Sequence, residues 1–326
     1  MRRFVLVVVF ALFVAPLFVA CPAAQGMRSS EPPLWAYPVN PPDDKPAPDD
    51  GSLQHVPGSS KAMTRTQALD SFNIPDWHPD GHPAMPDVVE HGRKPAVRGC
   101  GYCHLPNGLG RPENASLAGL PVSYIEQQIA DFRRGARVSS EPKMTPPAGM
   151  IVIAAAATDE EVKAAADYFS HLQLKPWIRV VETSMVPKTR VSGSMLVQVE
   201  GGGTEPIGER IIETPENLER TELRDAASGF VAYVPVGSIK KGEALVTTGG
   251  AGKTIQCGFC HGPELKGMGP VPPLAGRSPS YIFRQLYDIQ HGTRRGEWSV
   301  LMQGPVAHLS EGDMVSISAY LASRTP

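Results

Sequence analysis

The sequence predicts a mainly α-helical protein: two tandem copies of one small domain, joined by a small β-rich linker element and preceded by an extended N-terminal tether. Three observations predict it. A long ungapped repeat returns after 157 residues. Each copy closes on a capped amphipathic helix. Short β-branched runs lie between the copies, and a proline-rich stretch precedes them.

The first element is not part of the fold. "MRRFVLVVVFALFVAPLFVAC" has a basic start, an apolar run from Phe4 to Ala15 and small residues around Ala20. That layout predicts an export signal over 1–20. The run is short for a membrane span and Pro16 breaks it. An uncleaved anchor is the other reading if the run is counted through Ala20. Either way the bulk of the chain belongs outside the cytoplasm, in the periplasm. Residues 21–87, with "PVNPPDDKPAPDDG" as the clearest stretch, read as a Pro-rich tether.

Composition excludes little beyond a polyanion partner. The 326 residues are 41% hydrophobic and 20% charged, with formal net charge −2. Loss of Arg2 and Arg3 with the signal leaves 29 basic against 33 acidic side chains, near −4. Neither value favours nucleic acid.

The chemistry sits in "RGCGYCHLPNG" and "QCGFCHGPEL". Both contain Cys-x-x-Cys-His: Cys100, Cys103 and His104, then Cys257, Cys260 and His261. Two thiols at this spacing reach the two vinyl groups on one edge of a porphyrin, and the next residue lies beneath the iron. The pattern reads as covalent haem attachment, twice. A zinc site would need a second ligand pair nearby, and the clusters are 157 residues apart. A thioredoxin-type pair would need a βαβ context, and a disulfide framework does not call for the adjacent histidines.

The repeat extends well beyond five residues. "LAGLPVSYIEQQIADFRRGAR" from Leu117 and "LAGRSPSYIFRQLYDIQHGTR" from Leu274 share LAGxxxxYIxxQxxDxxxGxR. Tyr124 matches Tyr281 and Arg137 matches Arg294, so one domain was duplicated. After that arginine the offset drops to 152, with Thr158 matching Ser310 and Tyr168 matching Tyr320. Copy one therefore carries five extra residues, expected in the surface loop "SSEPKMTPPAG".

Within each copy, Thr158 with Glu161 forms a capping box, and Ser310 with Asp313 opens the matching helix. Val162, Ala165, Phe169 and Leu172, and Met314, Ile317 and Leu321, mark apolar stripes at helical spacing. Copy one is expected over 88–175 and copy two over 237–326. Between them, "WIRVVET", "SMLVQVE", "ERIIET" and "GFVAYVPV" predict strands in a bridging segment over 176–236, expected to serve packing more than docking. "TTGGAGKT" lacks the first glycine of a phosphate loop and has no helix directly after it, so no nucleotide is expected. His78, His82, His91 and His291 need no ligand role.

These residues resemble class I cytochrome c domains, and the tandem resembles the dihaem c-four type, over roughly 88–175 and 236–326. The resemblance implies two tandem class I cytochrome c domains that carry electrons on two covalently bound haem c groups. Each iron would be held by the CxxCH histidine and a methionine. Met302 stands eight residues before Ser310, and Met150 stands eight before Thr158; Met144 is the competitor in copy one. The expected metal ligands are His104, Met150, His261 and Met302. A family proline that offers its carbonyl to the ligand histidine is matched by Pro272, with Ala115 in its place in copy one. Arg137 and Arg294 pair either with haem propionates or with solvent.

Methionine opposite histidine leaves no open iron position, which favours electron transfer over catalysis. The expected partners are redox proteins: a dehydrogenase, an oxidase or a respiratory complex. The alternative is a dihaem peroxidase, which needs unlike haems. Two haems use four thiols, so Cys21 is left over. Leu17 to Cys21 resembles a lipoprotein processing site, although Phe18 is unusual there, and a lipid on Cys21 would anchor the chain. The other outcome is cleavage near Ala23 or Ala24 and a soluble protein.

Overall fold

The structure is a computed structural model that describes residues 31–326; the export signal and Cys21 lie outside them. Residues 32–86 correct the extended tether. They are largely irregular, with one short α-helix, α1 (Arg65–Ala68), and a 3-10 turn at Pro79–Gly81; residues 41–53 are mostly exposed, but the chain on either side of them is packed. Ala36 and Tyr37 are fully buried in the core of copy two, and Trp77 joins Val56, Ala68 and Leu223 in a separate cluster. The Tyr37 hydroxyl donates to Asp288 Oδ1 at 2.7 Å, and the Trp77 indole N–H donates to the Leu223 carbonyl at 2.8 Å. Proline content disfavours helices and ladders, but each aromatic between the prolines buries about 150–250 Å², enough to dock the segment.

Copy one comprises α2 (Asp87–Glu90), α3 (Gly101–His104), α4 (Val122–Arg133), α5 (Thr145–Ala156) and α6 (Asp159–Ser170). Both capping boxes form: Thr158 with Glu161 at α6 and Ser310 with Asp313 at the last helix. Helix α5 corrects one expectation, because Thr145–Gly149 fold as its first turn and a half instead of as loop. Pro146 and Pro147 are tolerated there since the first N–H groups of a helix have no intrahelical partner.

The bridging segment holds three small sheets. Strand β1 (Ile178–Glu182) pairs in parallel with β7 (Phe230–Val234), which pairs antiparallel with β6 (Ile212–Pro215). Strands β2 (Met185–Pro187) and β5 (Thr204–Pro206) pair, as do β3 (Thr189–Ser192) and β4 (Met195–Gln198). A short helix, α7 (Leu218–Glu222), is capped by Asn217. The segment packs on copy two through Glu213, whose buried carboxylate accepts from the Ser278 and Ser280 hydroxyls at 2.8 and 2.6 Å. Burial raises the pKa of that carboxyl.

Copy two comprises α8 (Ser238–Thr248), α9 (Gly258–His261), α10 (Pro279–Gln290), α11 (Val300–Val306) and α12 (Glu311–Ala322). Helices α8 and α12 cross closely at Gly242, where a Cβ would lie 1.9 Å from the Ser316 carbonyl oxygen. Lys253, the lysine of the rejected phosphate loop, donates to Asp313 Oδ2 at 2.8 Å instead. Although burial opposes its charge, hydrogen bonds from Lys253 and Lys241 hold the Asp313 carboxyl well below the usual range. The copies differ at this crossing, since α2 is a single turn where α8 has 11 residues. Among the described residues no helix is long and apolar enough to cross a membrane.

Candidate functional site

Each Cys-x-x-Cys-His stretch folds as one helical turn, α3 or α9, with the first cysteine at its start and the histidine at its end. Four free thiols result: Cys100, Cys103, Cys257 and Cys260. Burial pushes the Cys100 thiol up to about 12 and Cys257 up to about 11, and it raises Cys103 as well. At neutral pH these three thiols are therefore protonated, unlike the low-pKa thiolate of a disulfide-exchange centre. No group of three or more Cys, His, Asp or Glu side chains among the described residues is placed to hold a metal ion.

The histidines are oriented alike. His104 Nδ1 lies 2.8 Å from the Ala115 carbonyl oxygen, and His261 Nδ1 lies 2.8 Å from that of Pro272. A carbonyl only accepts, so the proton sits on Nδ1 and the lone pair is left on Nε2. Alanine serves as well as proline because the backbone supplies the acceptor. Burial lowers both imidazole pKa values, which keeps the rings neutral. Two thiols on one turn and a neutral imidazole with Nε2 free fit a covalently attached haem in each copy.

The methionines occupy different settings. Met144 is fully buried and belongs to the core cluster of copy two. Met150 is half-buried on α5, one turn before Ile153, which packs against the core of copy one. Met302 is half-buried on α11 and packs against the core of copy two.

The repeat consensus has a function that the sequence reading missed. Arg137 and Arg294 face each other in an antiparallel bridge between the copies. Arg137 donates to Gln128 Oε1 of its own copy at 3.0 Å and to the Tyr281 hydroxyl of the other at 2.9 Å. Arg294 mirrors it, donating to Gln285 Oε1 at 3.0 Å and to the Tyr124 hydroxyl at 2.8 Å. The arginines are therefore not solvated surface charges; Arg294 is 8% exposed, and its Nε has no hydrogen-bond partner. The signal was present in the sequence. Gln and Arg recur at matched positions where an apolar stripe explains neither.

No protein-family model matches the chain. The chain is similar to the thiosulfate dehydrogenase electron acceptor of Stutzerimonas stutzeri (strain A1501), at 28% identity over 239 residues, 72% of this chain and 83% of that protein. Cytochrome c-554(547) of Halothiobacillus neapolitanus is 36% identical over 84 residues, 22% of this chain and 92% of that protein. Cytochrome c4 of Azotobacter vinelandii is 37% identical over 84 residues, 24% of this chain and 40% of that protein.

Proposed function

The chain belongs to the cytochrome c family, and we propose that it is an exported electron carrier with two haem c groups, each ligated by histidine and methionine. One observation carries the reading: both copies present the same turn of two thiols and an imidazole whose Nδ1 is held by a backbone carbonyl. Cys100 and Cys103 would hold one haem and Cys257 and Cys260 the other, with His104 and Met150, and His261 and Met302, on the irons. The haem, when bound, supplies reversible one-electron chemistry. The chain's own part is to fix the imidazole orientation, exclude water and keep the ligands in place. A carbonyl bond to Nδ1 makes Nε2 more basic and prevents ring rotation. The unpaired buried Nε of Arg294 supports a role in holding a propionate.

The likeness to a thiosulfate dehydrogenase electron acceptor, across most of that protein's length, supports a dehydrogenase as the electron donor. Export through residues 1–20 and acylation of Cys21 would place the carrier at the periplasmic face of a membrane. The equivalent donor sets of the two copies disfavour a peroxidase, which needs one accessible iron. The test is the absorption spectrum of the holoprotein during a peroxide titration. Two low-spin six-coordinate haems without peroxide turnover are expected; a high-spin haem with rapid turnover would replace this reading by the enzyme.

A further inference from the structure

The two CxxCH faces occupy matched positions but differ in what covers them. In copy one, residues 218–228 of the bridging segment lie on the turn and on the loop after it. The Arg224 guanidinium stacks over Tyr102, 3.5 Å from the ring centroid, and donates to the Tyr102 carbonyl at 2.6 Å. Asn107 Nδ2 donates to the Ala226 carbonyl at 2.6 Å, and Arg111 Nη1 to that of Thr221 at 3.3 Å. Residues 108–114 are buried, Leu109 also against Trp177 and Phe230 and the Pro112 carbonyl also by Arg284. In copy two the matching loop is open. Phe259, at the position of Tyr102, is 68% exposed; Met268, at that of Arg111, is 55% exposed. Ile255 beside them is 49% exposed, and Cys260 is exposed on the same turn.

We propose that the face of copy two around Phe259, Ile255 and Met268 is the chain's docking surface for its redox partner, and that residues 218–228 close the same face of copy one. The proposal rests on the dihaem carrier reading. The occupant is a redox protein that presents an uncharged apolar patch around its own electron-exchanging group. Copy one holds its cover by polar groups, Arg224 over Tyr102 and the Asn107 and Arg111 donors to backbone carbonyls, and copy two has Glu264 and the apolar Met268 in place of those last two. Charge around the face of copy two points the same way, because Lys266 and Glu264 lie 3.9 Å apart and offset each other. A strongly charged partner finds no complement there. Electron tunnelling falls steeply with distance, so a haem held through Cys257 and Cys260 would be the one that a partner on this face reaches.

The test uses the holoprotein and, as probe, a small blue-copper protein with an apolar patch around its metal. Binding is read with the zinc-substituted, redox-silent form of the probe. Backbone amide shifts should move over 255–271 and stay fixed over 102–111 and 218–228. Electron transfer is read by stopped flow. Phe259→Asp should slow the second-order rate about tenfold. Ala227→Asp, on the exposed side of the cover, should leave it within about twofold, and added salt should change the wild-type rate no more than that. Retained haem spectra and full reduction by dithionite in both variants separate a failure of docking from a failure of the carrier reading. Shifts over the cover, no shifts at all, equal slowing by both variants, or a dimer that Phe259→Asp splits would each overturn the proposal.

Discussion

His104 and His261 show how little a side chain must do when the backbone does the positioning. Ala115 and Pro272 hold the two Nδ1 atoms at the same 2.8 Å, so the proline is dispensable to the bond itself. The methionines are where single residues separate by role. Met150→Ala should abolish one haem's methionine-to-iron absorption band, lower that haem's potential and open its iron to added ligands. Met144→Ala should leave both bands intact. Because Met144 is fully buried in the core of copy two, that substitution should instead destabilise the fold by about 2–5 kcal/mol. Spectra and denaturant unfolding of the two variants check both outcomes; loss of the band in Met144→Ala would move the ligand.

The two copies meet through polar side chains at matched positions, each arginine that follows α4 or α10 reaching the other copy's helix. Replacing Arg294 with Met leaves the Tyr124 hydroxyl without its cationic donor and Gln128 Oε1 with Arg137 alone, a loss of about 2–3 kcal/mol. Denaturant unfolding should show the drop, and an unchanged midpoint would mean that the bridge contributes nothing. Much at this scale was legible in the sequence. The capping boxes at Thr158 and Ser310 and the apolar stripes behind them are local signals, and they appear in the structure at those residues. The contact between the copies was not legible, because a glutamine on a helix and an arginine a few residues after it do not name a partner in another domain. Nor was the packing of residues 32–86. Proline content described their backbone correctly as irregular, but Tyr37 and Trp77 find their partners 251 and 146 residues away. The two prolines of α5 misled for a local reason, since at a helix start they are punctuation and not breaks.

Over the whole molecule, the packing of Trp35 and Tyr37 shortens any membrane connection. A lipid on Cys21 would be separated from the packed core by 13 residues, 22–34, which span at most about 45 Å when fully extended. Such a carrier works close to the membrane surface instead of ranging from it. Cys21→Ala should release the protein from membranes and lower its mass by the lipid. Unchanged membrane association together with unchanged mass would remove the anchor. The pairing of Arg137 with Arg294 carries one more consequence. Residues 136–138 and 293–295 cross about a local pseudo-twofold, with Ala136 accepting from Arg295 at 2.8 Å and Val138 donating to Thr293 at 2.9 Å. This is the isologous contact of a symmetric homodimer, made inside one polypeptide. Linkage makes the association intramolecular, so a modest polar seam suffices where free subunits would need a large one. Freed from identical genes, the two halves could then specialise, one accepting a permanent lid and the other staying bare.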